Sequence, residues 1–136
     1  MQFIDTNIFL RFLTKDDPVK AAKCRQLLQS ASEGELKLYT TDLVVAELIW
    51  VLQSPKTYNL SPAEICKVTM PLLTMKNLYF PCKNVFPDIM DLFQTKKIDY
   101  IDAYNSVIMQ GRNIDVIYSY DRHFDLLPEV TRKEPG

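Results

Sequence analysis

Apolar residues recur along this chain with two different spacings, and the alternation between them lays out its elements. Short apolar runs bounded by polar residues read as strands at residues 2–5, 36–39, 77–80, 116–118 and 129–132. Between them apolar positions return every three or four residues, the spacing of one helix face. Ile8, Phe9, Phe12 and Leu13 line one side of residues 6–14. Ala21, Cys24, Leu27, Leu28 and Ala31 do the same after Asp17-Pro18, in a helix that should stop near Gly34. Thr41 can cap a third helix, with Asp42 in its first turn and the apolar stretch 43–52 beyond. Ser61-Pro62-Ala63-Glu64 starts a fourth, which Pro71 should end or kink. Ile89, Leu92 and Phe93 face the core from a helix opening at Asn84. Ile101, Tyr104, Val107 and Ile108 do so from residues 99–112. Strands alternating with helices predict an α/β fold, a mostly parallel sheet covered on both faces. A chain of 136 residues suits a single domain over residues 1–136 with a sizeable core.

Composition narrows the function more than the fold. A net charge of -1 lacks the basic excess of a high-affinity, non-specific DNA binder, but leaves room for an enzyme that grips a few phosphates. No stretch is apolar enough to span a membrane and no signal peptide is evident, so a cytoplasmic protein is expected. Cys24, Cys66 and Cys82 match neither a zinc spacing nor a disulfide framework and read as reduced, buried thiols. Three scattered glycines rule out a glycine-rich phosphate loop. His123, the only histidine, has no serine or cysteine partner signature and reads as a loop residue. Arg11, Lys15, Arg112 and Arg122 read as solvated surface charge.

Four carboxylates carry the candidate chemistry. Asp5 and Asp121 each follow an expected strand, at the end of an α/β sheet where ligands bind. Asp102 lies in the first turn of the helix beginning near Asp99. Glu47 is the only charge in the apolar stretch 43–52, whose other sides are apolar too, which reads as a buried carboxylate held by a partner or a metal. Singly, Asp5 could be an N-cap, Asp102 a dipole partner and Asp121 a turn residue. Brought together they would repel one another by roughly 4 kcal/mol per pair at about 4 Å. A hard cation such as Mg²⁺ removes that repulsion, so a metal-dependent enzyme acting on phosphate is expected.

Taken in order, the motifs resemble those of the PIN domain, a family of metal-dependent nucleases. They are Phe3-Ile4-Asp5-Thr6-Asn7, Glu47 on the third helix, Asp99-Tyr100-Ile101-Asp102-Ala103 and Ser119-Tyr120-Asp121-Arg122-His123-Phe124-Asp125. The small size is similar to that of VapC-type toxins of toxin–antitoxin pairs. The resemblance implies a three-layer α/β/α sandwich with strand order 3-2-1-4-5. It implies that Asp5, Glu47, Asp102 and Asp121 form the catalytic acidic centre and bind Mg²⁺ or Mn²⁺. Thr6, Asn7 and Ser119 would support that centre, and Asp125 matches a more variable position. The implied activity is endonucleolytic cleavage of RNA by metal-activated water, leaving a 5′-phosphate and a 3′-hydroxyl. The implied partners are an RNA substrate and a cognate antitoxin. The apolar helix 43–52, with Met70, Leu72 and Leu73, adds a homodimer to these expectations.

Two rivals fit less well. A haloacid-dehalogenase-like phosphatase wants a second Asp two residues after the first, where this chain has Asn7. A response-regulator receiver needs a phosphoacceptor Asp after its third strand, where this chain has Tyr79-Phe80-Pro81. A non-catalytic PIN-like interaction module is the third alternative, and the intact acidic set argues against it.

Overall fold

Side chains of Asp17, Thr41 and Ser61 cap three of the six α-helices where the sequence places them, and the strands fall between helices. A computed structural model describes residues 1–136. Its elements are β1 (Gln2–Phe3), α1 (Thr6–Thr14), α2 (Pro18–Ser32), β2 (Leu38–Tyr39), α3 (Asp42–Gln53), α4 (Pro62–Leu73), β3 (Leu78–Tyr79), α5 (Phe86–Thr95), α6 (Tyr100–Gly111), β4 (Val116–Tyr118) and β5 (Thr131–Lys133). Short 3-10 helices occupy Lys83–Val85 and Arg122–Leu126. The second lies where the sequence suggested only a polar turn.

Asp17 accepts the N–H of Lys20 at 3.0 Å, ahead of Pro18, whose missing N–H costs nothing at a helix start. Thr41 accepts the N–H of Val44 at 3.2 Å. Ser61 and Glu64 exchange reciprocal bonds of 3.2 and 3.1 Å, the capping box read from the sequence. At the end of α2, Gly34 and Glu35 donate to Ala31 and Ser30 at 3.0 Å each. Gly34 adopts φ 86°, which a side chain would strain. Pro71 lies inside the last turn of α4, which runs on to Leu73.

All strand pairs are parallel. One ladder has the order β1-β2-β3 and the other pairs β4 with β5. They reproduce the 3-2-1 and 4-5 parts of the expected order as two ladders. The chain forms two compact units, Met1–Asn84 and Val85–Gly136, each taken by itself below. In the first, α1 packs on α2 and α3, and α3 on α4. Phe9, Leu38, Val45, Leu48, Ile49, Ile65, Leu73 and Leu78 are wholly or almost wholly buried. In the second, α5 packs on α6, and Phe86, Ile89, Phe93 and Ala103 are fully buried. The ring of Phe93 meets Tyr100 edge-on, with centroids 6.1 Å apart.

Several burial expectations need correction. Helix α3 is not enclosed on all sides: Leu43 is 82% and Trp50 68% exposed, and Glu47 between them is exposed as well. Positions 43, 47 and 50 share one stripe. The neighbours α1 and α4 cover the opposite one, with Val45, Leu48, Ile49 and Leu52. Conversely, Leu72 and Leu73 are core rather than surface, and Ile101 is exposed rather than core. Cys24 and Cys66 are buried, and Cys82 is half-buried.

Candidate metal centre

The first unit prepares Asp5 at the carboxyl end of β1. The strand end is held by Thr40, fully buried, whose hydroxyl donates to the Ile4 carbonyl at 2.9 Å. The Thr6 side chain, also buried, begins α1. Asp5 stands at the N-cap position with extended backbone, yet its side chain makes no capping bond. The N-cap reading available from the sequence is therefore not how this carboxylate is used. Asp5 and Asn7 are both exposed. Glu47 stands on the second turn of α3 and is exposed, so the argument that burial demands a partner for it does not hold. Its claim to the centre rests on the motif alone.

The second unit brings two of the expected carboxylates together. Asp102 is half-buried in the first turn of α6, where Ser106, fully buried, donates to the Asp102 carbonyl at 2.8 Å and fixes the turn. Asp99 precedes α6 as its N-cap residue without a side-chain capping bond. Beyond β4, Ser119 Oγ accepts the N–H of Asp121 at 3.0 Å. Asp121 in turn caps the 3-10 helix, its Oδ1 accepting the His123 N–H at 2.9 Å. The same oxygen lies 2.9 Å from His123 Nδ1. Ligand atoms of Asp102, Asp121 and His123 all lie within 4.8 Å of one another. Sequence reasoning placed His123 in a loop and missed it. The signal was its spacing, two residues after an Asp that turns the chain back on itself.

The two carboxyl groups have been pushed apart in acidity. Partial burial, then the charges of Asp121 and Asp99, raise the pKa of Asp102. The backbone N–H of His123 leads the effects that lower that of Asp121, with the imidazole and a hydrogen bond from Asp102 adding to it. Of the two, Asp102 takes up a proton more readily than Asp121. A divalent cation can take that proton's place, satisfying both oxygens at once. The imidazole adds a nitrogen donor, which Mn²⁺ accepts more readily than Mg²⁺. The donor set thus fits a divalent cation.

Parallel strands joined through helices define an α/β protein, and in its second unit Asp102, Asp121 and His123 form a group that could hold a metal ion. The family model of the PIN domain matches residues 3–130, and the chain belongs to that family. PIN domains are generally nucleases that work with divalent metal ions. No curated protein matches the chain. No helix is long and apolar enough to cross a membrane.

Proposed function

We propose that this chain is a Mg²⁺- or Mn²⁺-dependent endoribonuclease and the toxin of a VapC-type toxin–antitoxin pair, acting in the cytoplasm as a single PIN domain. The observation that carries the reading is the cluster of Asp102, Asp121 and His123 in a chain of this family. Asp5 and Glu47 complete the catalytic set in the proposal, supported by their match to the family's acidic positions. Asp5 is also left free of helix capping.

In this reading Asp5, Glu47, Asp102 and Asp121 hold the metal, and Thr6, Asn7 and Ser119 keep the chain around them in place. A divalent cation held there would supply polarisation of the scissile phosphate and a lowered pKa for a bound water. Asp121 keeps Oδ1 on the backbone N–H of His123, which leaves Oδ2 for the centre. Asp102 is the more basic carboxylate of the pair, because partial burial and the charges of Asp121 and Asp99 disfavour its ionised form, and a cation bound there would relieve that penalty. The net charge of -1 favours a substrate positioned by the centre itself over one gripped by a broad basic surface.

RNA cleavage is expected to need Mg²⁺ or Mn²⁺, to stop in EDTA and to return when the metal is restored. Asp5→Asn and Glu47→Gln are each expected to lower the rate by more than about a hundredfold, beyond the loss typical of groups that merely support metal ligands. Cleavage that persists in EDTA, or at the full rate in either variant, rules the mechanism out.

The proposal includes a homodimer, for which the exposed Leu43 and Trp50 of α3 offer an apolar surface, and a cognate antitoxin as partner. Light scattering at micromolar concentration should report about twice the monomer mass. Leu43→Glu with Trp50→Glu should return it to one. A wild-type chain that is monomeric throughout that range removes the dimer and leaves the nuclease reading intact.

A further inference from the structure

Arg132 sits on β5 with its side chain only 13% exposed, and its guanidinium makes four hydrogen bonds. Nε and Nη2 fork onto Asp125, at 3.0 Å to Oδ1 and 3.4 Å to Oδ2. Nη1 donates to Glu134 Oε1 at 2.9 Å and to the backbone carbonyl of Ser119 at 2.9 Å. Four of the five N–H donors of a guanidinium are thereby engaged. Both neighbouring carboxylates balance its charge, which fits a fixed strut better than a group that receives phosphate.

The partners share one feature: they bracket the segment that carries the cluster. Ser119 is tied through three atoms. Its carbonyl goes to Arg132, its N–H to the Lys133 carbonyl at 3.0 Å, and its Oγ to the Asp121 N–H. Asp125 belongs to the 3-10 helix that Asp121 caps. One side chain thus grips residues 119 and 125, with Asp121 and His123 between them.

We propose that Arg132 is a positioning residue of the metal centre: by clamping Ser119 and Asp125 it holds the Asp121 carboxylate and the His123 ring in the arrangement that receives the cation. The inference rests on the metal-dependent reading above and adds a residue outside the expected acidic set. The planar fork is the essential property, because an ammonium cannot meet Asp125, Glu134 and a carbonyl in one plane.

The test is calorimetric titration of Mn²⁺ into the metal-free full chain, for wild type, R132Q, R132K and D121N, with a melting curve for each. D121N should lose the site. R132Q should bind Mn²⁺ roughly tenfold or more weakly, the usual effect of removing a group that orients a ligand. R132K should resemble R132Q despite keeping the charge. An arginine that served only the fold would lower the melting temperature and leave the Mn²⁺ affinity of the folded variants unchanged. Wild-type affinity in R132Q overturns the inference. Should R132Q fail to fold, wild-type affinity in R132K overturns it. A wild-type chain that binds no Mn²⁺ overturns the metal-dependent reading and takes this inference with it.

Discussion

Asp102→Asn is expected to do two opposite things: to lower RNA cleavage by more than about a hundredfold and to raise the melting temperature of the metal-free protein by a few degrees. The first effect follows from removing a negatively charged ligand from a cluster of three donors. The second follows from the direction of the pKa shift. Asp102 is more basic in the folded chain than the ordinary 3.8, because burial and the charges of Asp121 and Asp99 disfavour its ionised form. Its favourable contribution to stability is present below that value and is lost as pH rises through the raised folded value. At neutral pH the folded protein therefore carries a penalty, which the neutral amide relieves. The gain should shrink as the pH falls through the raised folded value, where wild-type Asp102 itself takes up a proton. Saturating Mn²⁺ should reverse the order, since only the wild type gains stability from binding. Melting curves of both proteins from pH 4 to pH 8, with and without Mn²⁺, would test this. A metal-free variant that melts below wild type at neutral pH contradicts the assignment of strain to this pair.

The largest loss of stability is expected from Phe93→Ala, about 3–5 kcal/mol by comparison with other aromatic truncations in packed cores. Phe93 is fully buried on the inner face of α5, with Ile89 and Phe86 one and two turns before it. Its ring also meets Tyr100 at the start of α6, in an edge-on contact of 82° between planes. Truncation would leave a cavity and remove the aromatic contact that fixes where α6 begins, two residues before Asp102. A loss of this size consumes much of the 5–15 kcal/mol typical of a small protein. Chemical denaturation should show a lower midpoint with an unchanged slope. A Phe93→Leu variant should recover more than half of the loss, because it refills most of the volume. If Phe93→Ala costs less than about 1 kcal/mol, the side chain is not the packing centre of this unit.

Local chemistry made much of the fold legible. Asp17-Pro18, Thr41 and the Ser61/Glu64 pair act through hydrogen bonds to residues three positions away, so the helix starts they mark could be read without knowing anything distant. Residues 6–14 and 116–118 were placed to the residue for a similar reason, since a change of apolar period is a local signal. Strand β2 was drawn two residues too long at its start, and β5 about two residues too early. In two- and three-residue strands the ends are decided by pairing with another strand, which a run of apolar residues does not report.

The candidate centre divides along the same line. Sequence alone nominates Asp5, Glu47, Asp102 and Asp121, because motif order and position after a strand are properties of the chain. It also determined the helix caps, the alternation of strands and helices, and the family. Tertiary structure decided which side of α3 faces the core, so Glu47 is exposed although its sequence neighbours are apolar: covering depends on where α1 and α4 lie. It decided that Asp5 leaves its capping position unused, and that His123 turns its ring onto Asp121. It also decided that Arg132 reaches across from β5 to Ser119 and Asp125. These are contacts between side chains whose directions are set only once strands pair and helices pack. A linear pattern records what each residue can do, whereas packing and hydrogen-bond geometry select the neighbour with which it does it.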